Sequence, residues 1–278
     1  MNIQGQGALV TGASRGLGRA LAERLAADGA RVALVARDSG ALADVVAGIR
    51  ARGGDAHAIA GDIADQQQTY AIAGQAQGLV GELSILVHNA SSLGPTPLRL
   101  LLDTECEDLA AVLEANLVGP FRLTKILAGA MAIRGAGTIV HISSDAAVEP
   151  YPRWGAYGVS KAAQDHLSRI LAAELDGTGV RVLAVDPGEM DTVMHAAAIP
   201  DADPATLAKP AEVAAAIVAM IRDDGARTPT GARLSAAAWR AAASGAANGG
   251  AANGGAASGG AANGGAANGG AASGGGAS

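Results

Sequence analysis

The sequence predicts an α/β fold in which a single doubly wound parallel sheet carries helices on both faces. Short, continuous runs of Val, Ile, Leu and Ala alternate along the chain with longer stretches of helical periodicity. Strands without polar alternation are buried on both faces, as in parallel sheets, and right-handed crossovers then wind the sheet in both directions. Small polar residues and glycines follow several strands, at the edge where such folds bind ligands.

The expected elements follow in chain order. The strands are GALV (7–10), RVALVA (31–36), AHAIAG (56–61), LSILVHNA (83–90), GTIVHISS (137–144), GVRVLAVDPG (179–188) and GARLSA (231–236). The expected helices cover 17–29, 39–54, 65–81, about 104–134, 155–176 and a stretch near 210–222. Thr11, Asn89, Ser143 and Asp186 fall at or just after strand carboxyl ends, so we expect them to face one crevice.

The composition of the chain changes near residue 241. From 241 to 278 it contains only Ala, Gly, Ser and Asn, in five-residue units such as AANGG at 246–250. Without charges or large apolar side chains, such a segment cannot bury enough surface to offset the entropy lost on ordering. A stacked repeat fold is the weaker alternative, because it would need a hydrophobic face. The sequence therefore predicts one domain over 1–240 and a flexible low-complexity tail over 241–278.

Charge and composition narrow the classes of function. The formal net charge of −6 disfavours nucleic acid as a partner. The single cysteine, Cys106, excludes an internal disulfide, and the five histidines lack the spacing of metal ligands, so no metal is expected. Residues 1–20 lack a signal-peptide core, and no run of about 20 apolar residues occurs. We therefore expect a cytoplasmic protein that does not enter a membrane.

A glycine-rich loop follows the first strand and opens the first helix. It reads TGASRGLGRA at 11–20, where Gly12, Gly16 and Gly18 permit a tight turn and a close approach of the backbone to a ligand. The first N–H groups of the helix would then point at a pyrophosphate. A plain strand–helix turn is the alternative, but the position after the first strand favours dinucleotide binding.

The end of the second strand indicates which dinucleotide is bound. Sites for NAD usually carry an acid about 20 residues beyond the glycines, whereas this chain has Arg37, 19 residues past Gly18. Arg15 lies within the glycine loop, and two guanidinium groups suit the 2′-phosphate of NADP. Asp38 follows Arg37 and could contact a ribose instead. We therefore expect NADP(H), with NAD(H) as the alternative.

Six stretches together resemble the short-chain dehydrogenase/reductase family, over about residues 1–240. They are TGASRGLG at 11–18, HNAS at 88–91, ANLVGP at 115–120, ISS at 142–144, YGVSK at 157–161 and DPGEMDT at 186–192. The resemblance implies a Rossmann fold and an oxidoreductase that transfers a hydride between NADP(H) and a carbonyl or secondary alcohol. It also implies the catalytic set Asn116, Ser143, Tyr157 and Lys161, and a homodimer or homotetramer.

The residue chemistry fits that set. Tyr157 and Lys161 are four residues apart and share one face of the predicted helix, although a solvated face is the alternative. A carbonyl that accepts a hydride needs a proton and a stabilised oxyanion. We expect the Lys161 ammonium to lower the pKa of Tyr157 from about 10. Ser143, 14 residues before Tyr157, is preferred over Ser144 as the residue that holds the carbonyl oxygen.

The resemblance also assigns residues to the cofactor. They are Gly12, Ser14, Arg15, Gly16, Leu17, Gly18, Arg37, Asp62, Ile63, Asn89, Ala90, Tyr157, Lys161, Pro187, Gly188 and Thr192. Asp62 would meet the adenine, with Ile63 beside it. The family usually reads NNAG where this chain reads HNAS, so His88 and Ser91 change the local turn.

The substrate pocket is expected between segments 92–98 and 145–154 and a flap over 193–209. Its expected residues are Ser143, Tyr151, Trp154 and Met194. They favour an apolar or aromatic carbonyl compound, such as a vicinal diketone or an aromatic ketone, although each could serve packing alone.

Within the family, SSLGP, EPYPRWGAYGVSKAA and PGEMDT are similar to the sepiapterin reductase branch. That branch reduces dicarbonyl side chains and holds a pterin with an acid near its last strand, where this chain has Ser235. The alternative function is a non-catalytic NADP(H)-sensing or signalling protein on the same fold.

Overall fold

The computed structural model describes residues 1–223 and 225–249, with only the backbone described beyond residue 243. Within these residues seven strands form one sheet. They are β1 (Gly7–Thr11), β2 (Arg31–Ala36), β3 (Asp55–Ala60), β4 (Leu83–His88), β5 (Gly137–Ile142), β6 (Val180–Asp186) and β7 (Arg233–Ser235). Their order is β3-β2-β1-β4-β5-β6-β7, and every neighbouring pair is parallel. The predicted doubly wound parallel sheet is confirmed, with the switch between β1 and β4.

Helices connect the strands. They are α1 (Gly16–Ala27), α2 (Ser39–Ala51), α3 (Gln66–Val80), α4 (Cys106–Leu113), α5 (Gly119–Arg134), α6 (Gly155–Glu174), α7 (Val193–Ala198), α8 (Pro210–Arg222) and α9 (Ala236–Gly249). The single helix expected over 104–134 is instead two helices, α4 and α5, joined by a π-helical turn at Glu114–Val118. Such turns widen the helix locally and often mark functional sites.

Two hydrophobic cores cover the two faces of the sheet. One contains buried residues of α1, α2 and α8, and the other contains buried residues of α3, α5 and α6. Strand β1 contributes side chains to both cores, because Ala8 and Val10 lie in the first core and Leu9 lies in the second. This alternation explains why the strands read as continuous apolar runs.

Helix α9 continues past residue 240, the predicted end of the domain, to Gly249. Ala is the strongest helix former, so the first part of the predicted tail extends the helix. The rest of that prediction, 250–278, lies outside the described residues. No helix in the described part of the chain is both long and apolar enough to span a bilayer.

Candidate active site

Two adjoining cavities lie at the edge of the sheet where the strands end. The larger, called the groove, has a volume of about 570 Å³ and runs along the glycine loop. The smaller, called the inner pocket, has a volume of about 270 Å³. Ser143, Tyr157 and Thr192 belong to the walls of both cavities. A ligand in the groove would therefore meet a ligand in the inner pocket beside Tyr157.

Most residues that the sequence assigns to a cofactor line the groove. They are Gly12, Arg15, Gly16, Leu17, Asn89, Ala90, Tyr157, Lys161, Pro187 and Thr192. Gly188 lines the inner pocket instead. Ser14 and Gly18 belong to the same loop as Gly12. The Ile63 side chain is buried in the core beside α3 and α5, so only its backbone is left to contact a ligand.

Two positions of the glycine loop, Gly12 and Gly18, leave no room for a side chain. Gly12 has φ +67°, and a Cβ there would lie 2.8 Å from the Ala90 Cα. A Cβ at Gly18 would lie 2.2 Å from the Gly12 carbonyl oxygen. Arg15 is the N-cap residue of α1 and makes no side-chain cap in the described structure. The first N–H groups of α1 are therefore left for an anion in the groove.

Thr11 and Asn89 join the ends of β1 and β4. The Thr11 hydroxyl accepts hydrogen bonds from the backbone N–H groups of Asn89 (3.0 Å) and Ala90 (3.1 Å). The Asn89 side-chain amide donates to the backbone carbonyls of Thr11 (3.0 Å) and Gly12 (3.2 Å). This reciprocal bonding fixes the glycine loop against the neighbouring strand.

Three charged residues lie at the end of β2 and β3. The Arg37 guanidinium is 78% exposed and forms a long ion pair, 3.8 Å, with Asp62. Asp38 caps α2, because its carboxylate accepts the Ala41 N–H at 3.0 Å. One oxygen of the Asp38 carboxylate is thus bonded to the helix, whereas Arg37 extends into solvent.

Lys161 is buried beside Tyr157. Its side chain is 1% exposed, and Nζ lies 5.6 Å from the centre of the Tyr157 ring. Nζ donates to the Ile142 carbonyl at 2.6 Å and to Gln164 Oε1 at 3.2 Å. Burial lowers the pKa of Lys161 from 10.5 to about 8, and the charge of Asp165 opposes that shift.

The expected lowering of the Tyr157 pKa is wrong for this structure. Burial raises the pKa of Tyr157 to about 12, and the nearby Ser144 and Ser91 side chains only partly offset this effect. The charges of Asp145 and Asp186 raise it further. Desolvation of the phenol is the largest of these effects. Tyr157 therefore keeps its proton at neutral pH.

The choice between Ser143 and Ser144 stays a prediction, because both serines line the inner pocket. The pKa of Tyr157 favours Ser144, whose side chain lowers it, while the Ser144 hydroxyl donates to Asp145 at 2.9 Å. Ser143 lies in the walls of both cavities, but its hydroxyl makes only a long hydrogen bond, 3.5 Å, to the Ser144 carbonyl. The strand end places two consecutive serines here, and residue spacing alone cannot tell which hydroxyl faces Tyr157.

Arg233 holds Ser144 in place from the last strand. Its guanidinium donates to the Ser144 carbonyl (2.8 Å), to Asp165 (2.9 Å) and to Asp186 (3.2 Å). The sequence does not predict Arg233 as a site residue, because no local motif surrounds it. Arg233 reaches the site only because β7 pairs with β6, at the edge of the sheet where the strands end.

Asn116 lies in the π-helical turn and is fully buried. Its side chain accepts the Ser92 N–H at 2.7 Å and donates to the Ser92 carbonyl and the Ser160 hydroxyl, both at 2.9 Å. Its backbone carbonyl accepts the Gln164 side-chain amide at 2.9 Å. Asn116 therefore links the loop after β4 to α6, while contact between Asn116 and a reacting ligand stays a prediction.

Two stacked imidazoles lie behind Lys161. The His88 and His141 rings are 4.8 Å apart and inclined by 12°. His88 Nε2 bonds to the Thr124 hydroxyl and His141 Nδ1 to the Ser168 hydroxyl. Burial lowers the pKa of His141 to about 3 and that of His88 well below its usual value. Both rings are therefore neutral near pH 7.

The four predicted pocket residues, Ser143, Tyr151, Trp154 and Met194, all line the inner pocket. The Trp154 ring meets the Tyr157 ring edge to face at 5.7 Å. The other walls combine apolar side chains with three acids, Asp145, Asp186 and Glu189; the described wall residues include neither Lys nor Arg.

The chain after β6 closes the pocket. Segment 193–209 begins with α7 and returns to its own base. There Ala208 and Asp191 are joined by a backbone hydrogen bond, and Lys209 pairs with Asp191 at 2.9 Å. The base of the expected flap is thereby fixed.

Comparison with known proteins identifies relatives of the whole domain. A family model described as short chain dehydrogenase matches residues 6–203. A 3-oxoacyl-[acyl-carrier-protein] reductase of Synechocystis sp. is 36% identical over 235 residues, 82% of this chain and 94% of that protein. A short chain dehydrogenase of Pseudocercospora fijiensis is 39% identical over 199 residues, 70% of this chain but 62% of that protein.

A solved structure shows the same architecture. The short chain dehydrogenase of Burkholderia cenocepacia, in complex with NADP, is 34% identical and superposes with a TM-score of 0.73. The superposition covers 84% of this chain and 97% of that one.

Proposed function

The chain belongs to the short-chain dehydrogenase/reductase family of oxidoreductases, and from this premise we propose that it is an NADPH-dependent reductase of ketones or diketones. The observation that carries the proposal is the position of Tyr157. It lies in the wall shared by the groove and the inner pocket and keeps its proton at neutral pH. A proton donor thus faces the place where a dinucleotide and a carbonyl compound would meet. The branch within the family stays a prediction.

The residues of the groove fit a nicotinamide dinucleotide. The Cβ positions at Gly12 and Gly18 are excluded by backbone atoms, and the first N–H groups of α1 are uncapped by a side chain. This arrangement suits a pyrophosphate bound against the loop. Gly12, Arg15, Gly16 and Leu17 would hold the pyrophosphate end, and Tyr157, Lys161, Pro187 and Thr192 the nicotinamide end.

The charges at the end of β2 support NADP over NAD. One oxygen of the Asp38 carboxylate caps α2, so the acid that could bind a ribose hydroxyl is held at the α2 N-terminus. Arg37 and Arg15 are exposed and would give a 2′-phosphate charge-assisted hydrogen bonds. The NADP bound in the related Burkholderia cenocepacia protein agrees with this preference.

The mechanism assigns each side chain one task. When bound, the nicotinamide supplies a hydride to the carbonyl carbon. Tyr157 donates its hydroxyl proton to the carbonyl oxygen, so the product is a secondary alcohol and the phenolate must regain a proton. Ser144 donates a hydrogen bond to the same oxygen, and the Lys161 ammonium stabilises the phenolate once it forms. In the oxidative direction the same phenolate accepts the proton.

The walls of the inner pocket support a neutral substrate with an apolar or aromatic body. Trp154, Met194 and Leu93 offer apolar surface close to Tyr157. Asp145 and Glu189 make the mouth of the pocket acidic. The 3-oxoacyl reductase among the relatives also acts on a ketone. An aromatic ketone or a vicinal diketone fits these walls.

A substrate screen tests the proposal. Purified protein is mixed with NADPH or NADH and a panel of ketones, diketones and aldehydes, and the loss of nicotinamide absorbance is followed. Turnover with NADPH and at least one neutral ketone is expected. Tight NADPH binding by calorimetry with no turnover across the panel would instead favour the non-catalytic sensor.

Family membership also supports a homodimer or homotetramer, which light scattering on the purified protein measures. A cytoplasmic location stays a prediction, to be tested by cell fractionation.

A further inference from the structure

Gln164 occupies a position behind Lys161 that no motif predicts. Its side chain is 1% exposed. One end, Oε1, accepts a hydrogen bond from Lys161 Nζ at 3.2 Å. The other end, Nε2, donates to the Asn116 backbone carbonyl at 2.9 Å. The carboxamide therefore forms a bridge between α6 and the π-helical turn.

The orientation of this carboxamide is fixed by its partners. If oxygen and nitrogen were exchanged, the amide N–H groups would face the ammonium and the amide oxygen would face a carbonyl. Both contacts would then be repulsive, so only the observed orientation satisfies the two neighbours. The Gln164 backbone is held as well, because the Ser168 hydroxyl donates to its carbonyl at 2.8 Å.

The buried ammonium depends on such acceptors. Burial withdraws water from Nζ, and the structure supplies two protein acceptors, the Ile142 carbonyl and Gln164 Oε1. An ammonium has three N–H groups, and Lys161 also lines the groove. Two N–H groups are thus directed into the protein, and the third remains for a ligand in the groove.

We propose that Gln164 is a positioning residue of the active site, whose carboxamide bridge to Asn116 fixes the Lys161 ammonium in direction and in charge. The catalytic meaning of this assignment rests on the proposed function, whereas the bridge can be tested without turnover. An amide does not ionise near neutral pH, so the bridge favours the ammonium without placing a negative charge beside the phenol.

Other groups face Lys161 and must be kept constant. Tyr157 and Asp165 lie on the same helix, and Asp165 is paired with Arg233. His88 and His141 face Lys161 from β4 and β5 and are neutral near pH 7. A substitution confined to Gln164 leaves all of these groups in place.

The experiment uses the small number of lysines. The chain has three, Lys125, Lys161 and Lys209, and the other two are exposed. In protein labelled with ¹³C at lysine Cε, NMR follows the titration of each lysine directly. The midpoint of Lys161 is compared in the wild type, Gln164→Met, Gln164→Glu and the control Thr228→Ala. The control removes the hydrogen bond of the buried Thr228 hydroxyl to Asp223 near the start of β6, at the other end of the strands from Lys161.

Gln164→Met keeps the side-chain length but removes the acceptor. We expect the Lys161 midpoint to move about one pH unit lower than in the wild type, while Thr228→Ala leaves it unchanged. A wild-type midpoint in Gln164→Met would overturn the proposal. If Gln164→Met does not fold, Gln164→Glu decides. A carboxylate beside the ammonium must then raise the midpoint, and an unchanged or lower value overturns the proposal.

Kinetics then connect the bridge to the reaction. In Gln164→Met the alkaline limb of the reductase pH profile is expected to move in the same direction as the NMR midpoint. A purely structural role would lower thermal stability in both Gln164→Met and Thr228→Ala and leave the alkaline limb of the pH profile in place, which would contradict the proposal. If the wild type shows no turnover, the proposed function is wrong. The NMR titration still tests whether the Gln164 bridge acts on Lys161.

Discussion

The ammonium of Lys161 lies 5.6 Å from the centre of the Tyr157 ring and donates its shortest hydrogen bond, 2.6 Å, to the Ile142 carbonyl. The lysine is therefore anchored to the end of β5, and the phenol of Tyr157 keeps its proton. This division suits reduction, in which Tyr157 must begin as an acid. Lys161 becomes most important after the proton has left, when its charge offsets that of the phenolate.

The first prediction concerns pH. Reduction needs protonated Tyr157, whose raised pKa of about 12 keeps it protonated, and charged Lys161, whose pKa is about 8. We expect kcat for reduction to be nearly constant from about pH 6 to 7 and to fall as the pH rises through about 8, by about tenfold per unit well beyond the midpoint. Initial rates at saturating NADPH check this. A rate that stays constant to pH 10 would show that the ammonium is not required.

The second prediction separates the two serines. Ser144→Ala removes a hydroxyl that lowers the pKa of Tyr157, and we expect kcat/KM to fall about 10²-fold. Ser143→Ala serves as the matched control, with an expected change below about fivefold. A larger loss of kcat/KM in Ser143→Ala than in Ser144→Ala would support Ser143, the residue that the spacing to Tyr157 predicts.

The third prediction concerns the cofactor. Arg37→Ala removes a guanidinium expected to bind the 2′-phosphate, so Kd for NADPH should rise about 10- to 100-fold while Kd for NADH changes little. Fluorescence titration measures both constants. Asp38→Asn is the control, because the Asp38 side chain caps α2. We expect this variant to keep a lower Kd for NADPH than for NADH. Equal weakening for both cofactors in Arg37→Ala would argue against a phosphate contact.

The fourth prediction concerns substrate charge. Asp145 and Glu189 border the inner pocket, and no Lys or Arg lies among its described wall residues. We expect ethyl benzoylformate to be reduced at least about tenfold more efficiently than the benzoylformate anion. The double variant Asp145→Asn with Glu189→Gln should narrow that ratio by improving kcat/KM for the anion. If the double variant leaves this ratio unchanged, the two acids do not determine the preference for the neutral substrate.

The sequence predicts the fold and the groove well because their signals are local. Continuous apolar runs identify the strands, and the glycine loop is constrained by close backbone contacts such as that between Gly12 and Ala90. The family motifs place Tyr157 and Lys161 on one face of α6. In the structure Tyr157 lines both cavities and Lys161 lines the groove.

The remaining features depend on tertiary contacts. Which of Ser143 and Ser144 faces the phenol depends on how the chain turns after β5. Arg233 reaches Ser144 only through the pairing of distant strands. The Tyr157 pKa depends mainly on burial, which is the largest cause of its shift. None of these contacts has a local pattern in the sequence.

The most direct test of the central claim compares the wild type with Tyr157→Phe in single-turnover reduction of a ketone at saturating NADPH. Phe keeps the ring packing against Trp154 and removes the proton donor. We predict a loss of about 10²- to 10⁴-fold in the rate of hydride transfer, with Kd for NADPH within about threefold of the wild type. A Tyr157→Phe variant that transfers hydride at the wild-type rate would contradict the assignment of Tyr157 as the proton donor.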